Sequence, residues 1–144
     1  MKIFTIGFTK SSAKSFFGRI QKSGAKRVVD VRLKNMSQLA GFAKKDDLEY
    51  FLKAICDIGY AHRAELAPTN EMLDAYRKHG GDWIDYERRF VDLITNRQIE
   101  LTVPPELLDG ACLLCSEDKP HRCHRRLVAE YLKGKWSNVE IDHL

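Results

Sequence analysis

Apolar and polar positions along this chain switch repeatedly between a period of two and a period near 3.6. Residues 2–6 form a short β-branched run closed by Gly7, which predicts a strand. Ser11 and Ser12 are good helix caps, and Ala13, Phe16, Phe17 and Ile20 follow at helical spacing, with Gly24 suited to the residue after the helix. Residues 26–31, centred on Val28, Val29 and Val31, predict a second strand. Strand, helix and strand within about 30 residues make a βαβ unit, so the two strands are expected to be parallel.

Residues 32–45 have no clean period and predict a long loop. Asp46 or Asp47 is the expected cap of a helix faced by Leu48, Phe51, Leu52 and Ile55, with Gly59 as its stop. Residues 60–66 predict a short strand and an irregular turn. Helices are expected over residues 70–79 and then from Trp83, where Tyr86, Phe90 and Ile94 recur near a 3.6 period. Gly80-Gly81 separates the two, and Pro104-Pro105 and Gly110 mark the next connection. Residues 111–115 predict a buried strand, Leu127, Val128, Tyr131 and Leu132 the face of a last helix, and residues 139–144 a closing strand. Together these elements predict an α/β fold. It is a single three-layer domain over residues 1–144, with a mostly parallel sheet and a helical insertion in the middle.

Composition narrows the function classes. With 144 residues the chain can remove roughly 68% of its unfolded surface from water, enough for a real core. Apolar residues at 44% and charged residues at 31% argue against disorder. Lys+Arg 24 against Asp+Glu 20 leaves +4, which alone does not argue for nucleic acid. No apolar run reaches the ~20 residues that a membrane helix needs, so no membrane partner is expected. Residues 1–9 lack a signal peptide's apolar region and cleavage site, so the expected compartment is the cytoplasm. There, Cys56, Cys112, Cys115 and Cys123 are expected as thiols, thiolates or ligands rather than disulfides.

The densest polar segment, residues 115–126, follows a predicted buried strand and opens a helix. Ligands of parallel sheets bind outside the carboxyl ends of the strands. Gly7 and Thr9 follow the first strand, and Asp30 and Arg32 end the second. Three strand ends thus supply a glycine, a hydroxyl, carboxylates, an arginine and thiols that can converge on one crevice. His121, Arg122, His124, Arg125 and Arg126 crowd a helix start whose own field already favours an anion. The same field lowers the pKa of a cysteine aimed at it. Each residue also has a structural reading. Cys115 and Cys123 are suited to core packing, Asp30 and Arg32 can pair with each other, and Glu117 can be solvated or pair with Arg125. A zinc set of Cys112, Cys115, Cys123 and His124 is weighed and set aside, because Cys112 and Cys115 would face opposite sides of a strand. No metal or other cofactor is expected.

Cys115-x-Glu117 followed by Cys123-His124-Arg125 resembles the signature of domain-of-unknown-function family 488. Thr5-Ile6-Gly7-Phe8-Thr9 is similar to that family's opening, with Phe8 and Thr9 where His-Ser is usual. Asp30-Val31-Arg32 resembles its second motif, Asn35 stands near the place of a usual proline, and Ser37 is kept. Gly59-Tyr60 fits the segment before the middle strand, and Ile141-Asp142-His143-Leu144 fits the closing strand. The resemblance implies an α/β fold and implies that Cys115, Glu117, Cys123, His124 and Arg125 act together, but it supplies no reaction. The expected function is an enzyme acting on a small anionic, phosphorylated or nucleotide-like ligand. In this reading Cys115 or Cys123 is the reactive thiol, Glu117 or His124 moves protons, and Gly7, Thr9, Asp30, Arg32 and Arg125 serve binding. The alternative is a non-catalytic nucleotide- or nucleic-acid-binding module with structural cysteines.

Overall fold

A computed structural model describes residues 1–36 and 40–144 of the chain. Ser37 therefore lies outside the described residues. Five strands form one parallel sheet in the order β3-β2-β4-β1-β5. They are β1 (Lys2–Gly7), β2 (Arg27–Asp30), β3 (Gly59–His62), β4 (Ala111–Cys115) and β5 (Glu140–His143). The sheet is parallel throughout. The helices are α1 (Ala13–Ser23), α2 (Lys45–Phe51), α3 (Asn70–Arg77), α4 (Trp83–Asn96), α5 (Ile99–Thr102), α6 (Pro105–Leu108) and α7 (His124–Lys135). The connection from β3 to β4 carries α3 to α6 and is the expected helical insertion.

Strand alternation sorts the core into two layers. Phe4, Ile6, Val28, Cys112 and Leu114 face one way and pack with Phe16, Phe17 and Ile20 of α1 and Leu48 of α2. Ile3, Val29, Leu113 and Cys115 face the other way and pack with Phe90 and Ile94 of α4 and Leu127 and Val128 of α7. Helices on both faces give three layers. β4 is central and buried at every residue, which explains its continuous apolar run.

Local signals account for most element ends. Ser12 caps α1, its Oγ accepting from the Ser15 N–H at 3.1 Å, and Gly24 closes that helix at φ 74. Two expectations are corrected. α2 begins after Lys44, with Asp46 and Asp47 inside its first turn, where their charge suits the helix dipole. α2 runs on into a π-helical turn (Leu52–Cys56) that stops at Asp57 in the left-handed region (φ 55), whereas Gly59 opens β3. The predicted loop over 32–45 also contains a 3₁₀ turn (Gly41–Ala43).

The order of strands places the site. The chain leaves the carboxyl end of β1 for α1 on one face and that of β4 for α7 on the other, and the two strands are adjacent. Such a reversal opens a crevice at the strand ends. Phe90 ties the core to this edge: it is fully buried, lies against Tyr86, and meets the His124 ring edge-on at 5.4 Å between centroids. Phe90→Ala is expected to lower unfolding stability by about 3–5 kcal/mol in urea titrations.

Candidate active site

Register brings Gly7 beside Cys115, and Asp30 beside both Leu114 and His62. The carboxyl ends of β1, β2, β3 and β4 therefore form one edge. The loop after β4 is held against it from three sides. Thr9 donates to the Ser116 carbonyl from its N–H at 3.0 Å and from its hydroxyl at 2.5 Å. Arg125 donates to the Glu117 carbonyl from Nη1, to the Asp118 carbonyl from Nη2 at 3.5 Å, and to Thr5 Oγ1 from Nε at 3.3 Å. Gly7 lets the Glu117 carbonyl approach, because a Cβ at that position would sit 1.5 Å from its oxygen. Gly7, Thr9 and Arg125 thus meet on the backbone of residues 116–118.

At the start of α7, the His124 ring bridges two strand ends. Its Nε2 lies 2.7 Å from the Val31 carbonyl oxygen, which can only accept, so Nε2 carries a proton. Nδ1 then faces the Cys115 sulfur at 3.4 Å. Cys123, the residue before α7, presents its sulfur beside the same pair. All three groups are buried. Burial by itself raises the Cys115 thiol, but the Cys123 S–H, the His124 ring and the Arg125 guanidinium outweigh it and hold Cys115 well below an ordinary thiol. Cys123 moves the other way, raised by burial and by donating to Cys115. Burial would lower His124, yet the Cys115 thiolate and the Val31 carbonyl raise it. The arrangement is a cysteine–histidine pair whose histidine is oriented by a backbone carbonyl and whose surroundings favour moving the thiol proton onto the ring.

Cys115 and His124 line a cavity of about 250 Å³. Its wall carries Arg32, Lys34, Arg77 and Lys78 against Asp74. Arg32 is buried and paired with Asp30, Nε to Oδ1 at 2.9 Å and Nη2 to Oδ2 at 2.7 Å, and Nη2 also donates to the Ala43 carbonyl at 2.8 Å. Its Nη1 has no hydrogen-bond partner among the described residues. The Tyr60 hydroxyl donates to Asp30 Oδ2 at 2.6 Å, and burial, together with this carboxylate, raises the phenol well above its usual value. Phe8, at the position where the resembled family usually has histidine, lies under Arg32 with its centroid 5.3 Å from Cζ. Glu117 points its carboxylate at Arg77, 3.5 Å away and half-exposed.

Of the residues singled out from the sequence, Cys115, Cys123 and His124 come together, with Arg32 on the wall of their cavity and Asp30 behind it. Gly7, Thr9 and Arg125 stand one step back, and Glu117 reaches the site through Arg77. Sequence reasoning missed Arg77 and Lys78, which end or follow an ordinary amphipathic helix, and missed the Val31 carbonyl. A three-donor set of Cys115, Cys123 and His124, with donor atoms within 4.8 Å of one another, has the residue types of an open metal site. Cys112 cannot complete it, since it packs on the opposite face of β4.

A family model described as "Domain of unknown function DUF488" matches residues 12–132 of the 144. The chain belongs to the DUF488 family. No curated protein and no solved structure matches it. In this DUF488 protein no helix among the described residues is long and apolar enough to cross a membrane.

Gly7→Ala is expected to cost about 1–3 kcal/mol through overpacking against the Glu117 carbonyl, read by urea denaturation, and to slow Cys115 alkylation as the loop shifts. The ion pair also shapes stability against pH. Cys115, depressed, contributes stability that is complete above the unfolded thiol value of ~8.5 and is lost as pH falls toward its folded value. His124, raised, contributes stability that is complete below ~6.5 and is lost as pH rises through its folded value. The two slopes oppose each other between ~6.5 and ~8.5. The native chain should therefore lose stability as pH drops from that window toward the folded value of Cys115, measured by urea midpoints across pH.

Proposed function

We propose that this protein is a thiol-dependent enzyme in which Cys115 is the nucleophile and a small anionic molecule is the substrate. The observation that carries this reading is the Cys115–His124 pair, 3.4 Å apart, opening onto a cavity walled by Arg32, Arg77 and Lys78. A stabilised thiolate at the foot of a cationic cavity is suited to attack an electrophilic centre that carries a phosphate or carboxylate. A cationic wall is also a poor home for a dication, which favours the thiol reading over a metal.

In this reading the Cys115 sulfur forms a bond to the electrophilic centre. The bond to the leaving group breaks, its electron pair departs with the leaving group, and the His124 Nδ1 proton neutralises that group. Nδ1 then accepts a proton from water, which displaces the sulfur and restores the pair. Arg32 and Arg77 hold the anion, Arg32 offering its unpartnered Nη1 as a direction-specific donor. Asp30, with Tyr60 behind it, orients Arg32, and Glu117 orients Arg77. Arg125, Gly7 and Thr9 position the loop that carries Ser116 and Glu117. At about 250 Å³ the cavity has room for a small phosphorylated or nucleotide-fragment-sized ligand.

Two alkylating agents of nearly equal size, neutral iodoacetamide and anionic iodoacetate, test this. Cys115 should prefer iodoacetate, relative to half-buried Cys56, by roughly tenfold, as an attraction of about 1.4 kcal/mol gives, and Arg77→Ala should erase most of that preference. Peptide mass spectrometry resolves the sites. A Cys115 that reacts only after unfolding, or shows no charge preference, contradicts the reading and favours a binding module with structural cysteines.

A further inference from the structure

Cys123 takes no step in the chemistry just described, yet its sulfur lies within 4.8 Å of that of Cys115. Both sulfurs and the His124 ring nitrogen fall within 4.8 Å of one another. Cys123 stands at the junction of the 116–122 loop and α7, with extended backbone at φ −140 and ψ 140. Both residues face the same small cleft beside Tyr86, Arg77 and Arg122. The other cysteines are placed differently. Cys112 is sealed on the opposite face of the sheet, and Cys56 ends the π-helical turn with its S–H toward the Phe17 carbonyl at 3.8 Å. The fold therefore pairs one cysteine that lines an open cavity with one second thiol, and seats a proton donor against the first.

We propose that Cys115 and Cys123 are a redox pair in which a hydroperoxide oxidises Cys115 and Cys123 then closes a disulfide onto it. The inference rests on the reading of Cys115 as the reactive thiolate and adds to it a second co-substrate class and a role for Cys123. In the first step the Cys115 sulfur bonds to the terminal oxygen of the hydroperoxide. The O–O bond breaks, and the departing alkoxide or hydroxide takes the His124 Nδ1 proton, leaving as alcohol or water. Sulfur is oxidised to sulfenic acid and the peroxide is reduced, two electrons passing between them. In the second step the Cys123 sulfur bonds to the Cys115 sulfur, the S–O bond breaks, and the hydroxyl leaves as water with the proton of Cys123. An external dithiol returns both thiols by exchange. While the disulfide stands, Cys115 is unavailable for the substrate chemistry above, so peroxide also governs that activity.

The test treats the reduced full chain with one equivalent of tert-butyl hydroperoxide and maps peptides without reduction. The expected product is a Cys115–Cys123 disulfide that dithiothreitol reverses, formed roughly tenfold or more faster than any oxidation of Cys56, as a thiolate allows. In Cys123→Ser the oxidation should stop at a Cys115 sulfenic acid that dimedone traps. In Cys115→Ser, Cys123 should oxidise no faster than Cys56. Iodoacetamide labelling in parallel separates the two readings. If Cys115 alkylates readily near neutral pH but forms no disulfide and no dimedone adduct, the redox pair is overturned and the nucleophile stands. If Cys115 neither alkylates nor oxidises in the folded protein, both fall. A stoichiometric zinc ion on the purified protein that must be stripped before either thiol reacts also overturns the pair.

Discussion

The site depends on the hydrogen bond from His124 Nε2 to the Val31 carbonyl. At 2.7 Å, from a buried ring to an oxygen that can only accept, it fixes which nitrogen carries the proton. Everything at the Cys115 sulfur follows from that choice. With Nε2 committed, Nδ1 must meet Cys115 as an acceptor from the thiol or as a donor to the thiolate. Arg125 and the Cys123 S–H both favour negative sulfur, and so favour the second form. Val31 in turn is held by its own N–H, which donates to the Leu114 carbonyl at 3.1 Å. The bond thus couples the ends of β2 and β4 to the start of α7, and the sheet itself positions the reactive group.

Around this bond the protein keeps an unusual amount of charge out of water. Asp30, Arg32, His124 and Arg125 are all buried. Such groups contribute little net stability even when paired, because desolvation cancels much of the attraction. Their bonding explains why the fold tolerates them. Asp30 accepts from the Arg32 backbone, the Arg32 side chain and Tyr60, and Arg125 donates to two carbonyls and a threonine. Both arginines are therefore rigid, one holding the wall of the cavity and the other the loop beside its floor. A site with a fixed charge pattern and a small opening is preorganised, which is what selecting an anion requires.

How legible this was in the sequence depended on range. Strand alternation alone separates Cys112 from Cys115, and the structure places them on opposite faces. The convergence of three strand ends followed from parallel topology. Local signals misled at α2, where Asp46 and Asp47 look like caps but serve the first turn, and where Asp57 rather than Gly59 adopts the left-handed stop. Long-range partners were not readable. Nothing near Arg125 says that its guanidinium turns back to the carbonyls of residues 117 and 118. Nothing near Arg77 says that α3 folds over the Cys115 cavity. Phe8 shows the same limit: its aromatic ring at a position of expected polarity makes sense only once Arg32 lies above it.

The resting state of Cys115 and His124 that the geometry supports is thiolate and imidazolium. Nitrogen-15 NMR of the His124 ring at neutral pH tests it most directly, since the shifts of Nδ1 and Nε2 report which of them carry protons. In that state both do, and Nδ1 alone loses its proton when Cys115→Ser removes the thiolate. A neutral ring protonated only at Nε2 in the native chain, unchanged by that substitution, would contradict it.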